Sequence, residues 1–305
     1  MISLKKTFLR GSFPPLATPF REGRIDYDKY TDLIEVQIKE GSHGVVVSGT
    51  TGEPSSLSIE ERIELLKVAV SAAAGRIQVV AATGSQSLVD TLKLTVNAAK
   101  VGADATLVVT PYYIKPSQKG LIEYFAAVGR ESNLPLMIYH IPGRAAVSIK
   151  AQTVVKIAEQ VPHLVGIKHA DQNLELLTEL LVALGPEFRI FCGLEALSLP
   201  MLTLGASGLM NAAGNLAPSR VASLYQAVQQ SDLERAREIH TELFELNQSI
   251  FLDTNPIPLK YMMWRLGLLD SPEVRLPLAE LDESQKRILD MVLSRAGLME
   301  TLAQR

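Results

Sequence analysis

The sequence holds one cysteine, Cys192, and no long apolar run. A lone thiol cannot form an intrachain disulfide or a cysteine zinc cluster, and it fits a reducing compartment. Without about 18 consecutive apolar residues, no helix is expected to span a membrane. The apolar part of the opening segment Met1–Arg10 is too short for a secretory signal. A basic excess is also missing: 30 Lys and Arg stand against 33 Asp and Glu, a net charge of -3. Phosphate backbones need a basic surface, so nucleic acid is not expected as a partner. What remains is a soluble, cytoplasmic reading. Of the 305 residues, 47% are hydrophobic, enough for a large core. The length exceeds the roughly 250 residues of one α/β barrel and fits two ordinary domains poorly.

Short apolar runs recur through the first two-thirds of the chain. They are Pro14–Thr18, Gly44–Ser48, Ile77–Ala82, Ala105–Thr110, Pro135–His140, Leu164–Lys168, Arg189–Cys192 and Gly208–Asn211. Apolar throughout rather than alternating, they suit parallel strands covered on both faces. Between them, Asp28–Lys39, Ser58–Ala74, Leu88–Lys100, Gly120–Glu131, Ala151–Gln160 and Leu174–Leu184 carry apolar residues at helical spacing. Eight strand–helix units predict a TIM (β/α)8 barrel over residues 1–225. From 226 to 305 the pattern changes. Helices are expected there at Leu233–Leu252, Leu259–Leu266 and Glu283–Arg295, after Arg220–Gln230, with no strand between them.

A TIM barrel places its site at the C-terminal ends of the strands. Lys168 closes one apolar run. A poorly hydrated ammonium there can lose its proton and attack a ketone; the competing reading is a lysine that has reached solvent. Tyr139 closes the preceding run, where a phenol can pass protons or satisfy a local hydrogen bond. Arg144 follows a Pro-Gly turn and can clamp a carboxylate. Thr50 and Thr51 sit in a Gly-flanked turn able to cradle a small anion. Each signal alone also fits ordinary turn or loop chemistry. Together they describe a pocket for a small keto acid beside a lysine.

Five segments in order carry a likeness: Gly49-Thr50-Thr51-Gly52-Glu53, Pro111-Tyr112-Tyr113, Tyr139-His140-Ile141-Pro142-Gly143-Arg144, Gly166-Ile167-Lys168 and Thr254-Asn255-Pro256-Ile257-Pro258-Leu259-Lys260. Through them nearly the whole chain resembles the dihydrodipicolinate synthase / N-acetylneuraminate lyase family of Schiff-base aldolases. The resemblance implies an imine between Lys168 and pyruvate, with no other cofactor and no metal. It implies proton relay by Tyr139 through Thr50 to Tyr113, the last lent by the neighbouring subunit of a tight dimer, itself paired into a tetramer. It implies that Thr51 holds the pyruvate carboxylate, that Arg144 receives a carboxylate of the second substrate, and that Gly193 and the Met210 carbonyl line the pocket. Thr50-Thr51 and Arg144 resemble the synthase branch, which condenses pyruvate with L-aspartate semialdehyde in lysine biosynthesis.

The sequence also departs from that pattern. His140 stands where asparagine is usual, Ala145-Ala146 where Thr-Gly is common, His169 where glutamate is usual, and Gly193-Leu194-Glu195 where Gly-Asp-Asp is usual. His140, His169 and Glu195 are therefore expected to set specificity on the aldehyde side. The stretch Phe191–Leu202 is similar to a side branch that cleaves 2,4-dihydroxyhept-2-ene-1,7-dioate to pyruvate and succinate semialdehyde. A metal aldolase using His140, His169 and Glu195 lacks tight ligand spacing. A phosphate site at Gly205, Gly208 and Gly214 lacks basic companions. A non-catalytic keto acid sensor would not need Lys168, Tyr139, Thr50 and Tyr113 together. Feedback-inhibited members often carry histidine in the helix after the Gly-Thr-Thr-Gly-Glu turn, where this chain has Ile59 and Arg62. Inhibition of initial rates by millimolar L-lysine should therefore be weak or absent, and clear inhibition would contradict this.

Overall fold

The computed structural model describes residues 2–299. Strand β1 (Gly11–Ser12) is followed by a small antiparallel hairpin, β2 (Phe20–Arg21) and β3 (Arg24–Ile25). The other strands are β4 (Gly44–Val47), β5 (Gln78–Ala82), β6 (Ala105–Val109), β7 (Leu136–His140), β8 (Leu164–His169), β9 (Arg189–Cys192) and β10 (Gly208–Leu209). Apart from the hairpin, all pair in parallel in the order β1-β10-β9-β8-β7-β6-β5-β4. A bridge between Pro15 and Val46 closes the sheet into a barrel.

Helices α1 (Tyr27–Lys39), α2 (Ile59–Ala73), α3 (Leu88–Val101), α4 (Gln118–Glu131), the short α5 (Pro142–Ala145), α6 (Ala151–Gln160), α7 (Leu174–Leu184), the short α8 (Ser198–Thr203) and α9 (Pro218–Gln229) surround it. Their starts are written in the sequence. Asp26, Ser58, Ser87, Ser117 and Asn173 each cap a helix by accepting a backbone N–H, and Ser58 with Glu61 forms a full capping box.

The first strand lies earlier than the run Pro14–Thr18 predicts. Pro14 and Pro15 have no N–H to donate, so that segment cannot make a ladder and contributes only the Pro15–Val46 bridge. The eighth barrel helix runs past residue 225 to Gln229. The expected helix Leu233–Leu252 is two, α10 (Leu233–Glu242) and α11 (Phe244–Ser249). They are followed by α12 (Ile257–Arg265) and α13 (Glu283–Arg295).

Apolar side chains form two layers. Phe13, Val46, Val80, Leu107, Met137, Val165, Phe191 and Met210 fill the barrel, with Phe13 and Phe191 edge to face at 5.2 Å. A larger layer joins strands to helices. The C-terminal helices are fastened to the barrel by charge. Lys260 of α12 donates to Glu53 at 2.8 Å with both side chains fully buried, and its ammonium lies 4.2 Å from the Phe20 ring. Burial pushes Lys260 down from its ordinary lysine pKa, and the Glu53 carboxylate opposes this. The other Glu53 oxygen accepts from the Arg275 amide at 3.0 Å, while the Arg275 guanidinium grips Glu61.

Removing one partner of a buried pair strands the other charge. Lys260→Met should therefore cost about 3–5 kcal/mol of unfolding free energy. The double variant Glu53→Gln, Lys260→Met should recover part of it in denaturant titrations. An additive double variant would show that the two residues do not act as a pair.

Candidate active site

Register brings the two central side chains together. On β7 and β8, Tyr139 stands opposite Lys168. Strict alternation from the inward Val165 would turn Lys168 out of the barrel. The register shifts at this point: Leu136 pairs with Leu164, but Met137 pairs with Gly166. This extra residue on β8 reverses the facing of the rest of the strand and aims Lys168 inward. Glycine is required there, since a Cβ on Gly166 would lie 2.2 Å from the Arg189 carbonyl oxygen.

Lys168 is buried, and its Nζ lies 4.3 Å from the centroid of the Tyr139 ring. Among the described residues it has no hydrogen bond and no ion pair. The Tyr139 hydroxyl is 3.3 Å from Thr50 Oγ1. Amine, phenol and threonine hydroxyl thus line up from the barrel interior to the Gly49–Glu53 turn.

That turn is a single 3-10 turn, Thr50–Gly52. Its first amides have no carbonyl behind them, which suits a carboxylate. Thr18 Oγ1 donates to the Gly52 carbonyl at 2.8 Å, and Asn255 Nδ2 donates to Thr51 Oγ1 at 3.1 Å. Arg144 donates to the Asn255 carbonyl at 3.3 Å. Ser48 and Glu53, on either side of the turn, adopt positive φ of 55° and 56°, conformations that non-glycine residues hold only when their surroundings impose them.

Beside these groups lies a cavity of about 290 Å³; Lys168 and Thr51 stand behind its lining rather than on it. Thr50, Tyr139 and Arg144 line it, and Asn255, Pro256, Pro277 and Leu278 from the C-terminal segment complete its wall. Ser48 Oγ, Arg62 Nε and Asn255 Oδ1 are buried on its lining without a protein partner. Unpaired polar atoms of this kind are costly unless water or a ligand meets them. Burial pushes the Arg62 guanidinium down to about 10.

Other residues expected from the sequence take varied places. Thr51 is buried in the turn, and Met210 packs inside the barrel. Gly193 faces Lys168: a Cβ there would lie 2.8 Å from Lys168 Cε. Tyr113 does not reach the cavity of its own chain. It is 85% exposed, with φ of 71°.

His140, His169 and Glu195 are not on the cavity lining, nor is Lys168; Glu195 is buried close enough to Lys168 for their charges to act on each other. The two histidines alternate to the outer side of the barrel wall, one residue beyond Tyr139 and Lys168. Glu195 turns to the Ala212 amide at 2.6 Å, and burial raises its carboxyl pKa. The three therefore form no metal site, and among the described residues no three ligating side chains cluster. Cys192 is also buried, its thiol pushed up to about 12 by burial.

Sequence reasoning missed the site roles of Asn255 and Arg62. Asn255 lies in one of the five family-like segments, but its contact with Thr51 spans 204 positions. Arg62 looks in the sequence like one more charged residue on an amphipathic helix.

Residues 8–296 match the model of the dihydrodipicolinate synthetase family. The chain belongs to this family. It is 45% identical over 291 residues to the 4-hydroxy-tetrahydrodipicolinate synthase of Thermus thermophilus, covering 95% of this chain and 97% of that one. The crystal structure of dihydrodipicolinate synthase from Aquifex aeolicus is similar with a TM-score of 0.93 at 41% identity, covering 95% and 98% of the two chains. A chloride-inhibited dihydrodipicolinate synthase from Acinetobacter baumannii, complexed with pyruvate, is similar with a TM-score of 0.91 at 34% identity, covering 95% and 99%. As a member of the dihydrodipicolinate synthetase family the chain is a lyase, and the family's chemistry runs through a lysine imine rather than a separate cofactor.

The clearance at Gly193 gives a test. Gly193→Ala should displace the Lys168 side chain and slow pyruvate adduct formation by about 10-fold or more, since small misplacements near reacting atoms are costly. The melting temperature should fall little. Adduct formation at the parental rate would mean that Lys168 does not need this space.

Proposed function

We propose that this protein condenses pyruvate with L-aspartate semialdehyde through an imine on Lys168. The observation that carries the reading is a buried lysine in no ion pair or hydrogen bond among the described residues, 4.3 Å from the Tyr139 ring, in a synthase-like chain. The neutral Nζ attacks the pyruvate ketone carbon, a carbinolamine forms, and water leaves to give the imine. Loss of a methyl proton then gives an enamine, with the imine nitrogen as electron sink. The enamine carbon attacks the semialdehyde carbonyl. Tyr139 is suited to pass protons in these steps, with Thr50 holding its hydroxyl. The Thr50–Gly52 turn holds the keto acid carboxylate, and Arg144 holds the carboxylate of the aldehyde.

The reading includes a homodimer, paired again into a tetramer. Its support is Tyr113, exposed in a positive-φ conformation beside the exposed Ile114. A second copy would cover this strained loop and bring the partner subunit's Tyr113 to Thr50. No helix among the described residues is long and apolar enough to cross a membrane. A cytoplasmic location is part of the same reading.

The competing aldehyde is succinate semialdehyde, which lacks the amino group. Ser48 and Asn255 line the cavity, and their Oγ and Oδ1 atoms are unpaired just beneath its surface, where a side-chain rotation would turn them to an ammonium. They would be left without the ammonium when that analogue binds, so kcat/KM should favour aspartate semialdehyde by about 100-fold or more. Equal values, or a preference for the analogue, would overturn the substrate assignment. Arg144→Ala should raise KM for the aldehyde by roughly 10- to 100-fold and leave pyruvate adduct formation intact. Loss of the adduct would place Arg144 on pyruvate instead.

A further inference from the structure

Two histidines are paired to each other behind the reacting side chains. Where Tyr139 pairs with Lys168, the next residues, His140 and His169, also pair. Their rings meet edge to edge and nearly coplanar, 5.2 Å between centroids and 21° between planes, with the two Nδ1 atoms 3.1 Å apart. Only 3% of His140 and 1% of His169 is exposed.

The surroundings fix where each proton sits. His169 Nε2 lies 2.9 Å from the Asn173 carbonyl oxygen. A carbonyl only accepts, so that nitrogen carries the hydrogen. His140 Nε2 lies 3.3 Å from the Ile149 amide. An amide only donates, so that nitrogen is bare. The remaining contact is then forced: His140 Nδ1–H donates to the bare His169 Nδ1. With both rings neutral, all four nitrogens are satisfied. One further proton would set N–H against N–H, across the pair when it lies on His169 Nδ1 and against the Ile149 amide when it lies on His140 Nε2.

We propose that His140 and His169 are positioning residues whose neutral hydrogen bond holds the end of β7 against the end of β8, and so holds Tyr139 against Lys168. The inference rests on Tyr139 and Lys168 being the reacting pair. Lys168 makes no hydrogen bond of its own, so its spacing from Tyr139 is inherited from the two strands. Just beyond the site those strands are tied by the Ala170 amide donating to the His140 carbonyl at 2.9 Å, and the imidazole bond adds a side-chain tie at the same level.

Its consequence is an acid limit. Burial lowers both imidazole pKa values, His140 to about 4, with His169 adding to the effect on His140. Asp171, in the loop after β8, is the one charged side chain acting on both rings, and it pulls the other way. Ile149 and Asn173 approach only through backbone. In the unfolded chain a histidine titrates near 6.5. The pair's contribution is therefore fully present above that pH and is lost as pH falls toward 4.

The test compares initial rates of the parent enzyme, His140→Asn and His140→Phe from about pH 4 to about pH 8, with thermal melts confirming folding. Asparagine keeps a donor toward His169 and can turn its oxygen to a protonated His169. Phenylalanine keeps the ring shape and removes both nitrogens. His140→Asn should hold kcat within about 3-fold at neutral pH and move its acid limb to lower pH. His140→Phe should lower kcat by about 10-fold or more, with KM for pyruvate changed less than about 3-fold. The proposal is overturned if the acid limbs of parent and His140→Asn coincide, or if His140→Phe turns over like the parent. Should His140→Phe not fold, the comparison with His140→Asn decides alone. Failure of the underlying site reading looks different: Lys168→Ala would still yield a borohydride-trapped pyruvate adduct.

Discussion

The buried ion pair of Glu53 and Lys260 places the C-terminal helices over the barrel, and the cavity has its present walls only because they are there. Glu53 ends the turn that begins at Gly49, and its two carboxylate oxygens hold Lys260 and the Arg275 amide. The segment before Lys260 supplies Asn255, which holds both Thr51 and Arg144. The segment after Arg275 supplies Pro277 and Leu278 to the cavity wall. Pairs of this kind often add little net stability over an apolar replacement. What this one does is geometric: it sets the turn, the roof and the arginine in one frame.

Lys168 shows the opposite use of the same side chain. Lys260 is buried with a carboxylate, and Lys168 is buried without one. The paired lysine is structural, whereas the unpaired one keeps its nitrogen available to attack a carbonyl carbon. The Lys168 ammonium lies over the ring face of Tyr139, whose hydroxyl is 3.3 Å from Thr50 Oγ1. The register shift at Gly166 and the missing side chain at Gly193 make room for this arrangement. Fold and chemistry meet in those two glycines.

Much of the barrel was legible because its signals are local. Apolar runs marked the strands, and Ser58 with Glu61 marked a helix start. Pro14–Thr18 misled because its two prolines cannot donate, so an apolar run that reads as a strand makes only a bridge to Val46. The site was legible to the extent that strand ends point at it. A strand end does not reveal which face a residue takes, and that is why the sequence alone suggests the substrate side for His140 and His169. The register shift that decides the matter depends on pairing with β7 and leaves no mark in β8 alone. Asn255 was hidden for a different reason, since its partners are brought close only by the C-terminal helices. Tyr113 was legible through resemblance, and in the single chain it points away from the cavity.

The central claim is that the unpaired amine inside the barrel is the nucleophile. Reducing the unmodified enzyme with borohydride in the presence of pyruvate, then mapping the modified peptide by mass spectrometry, tests it most directly. The account predicts one pyruvate-derived adduct, carried on Lys168. An adduct on Lys260 or another lysine, or none at all in enzyme that turns over, would contradict it.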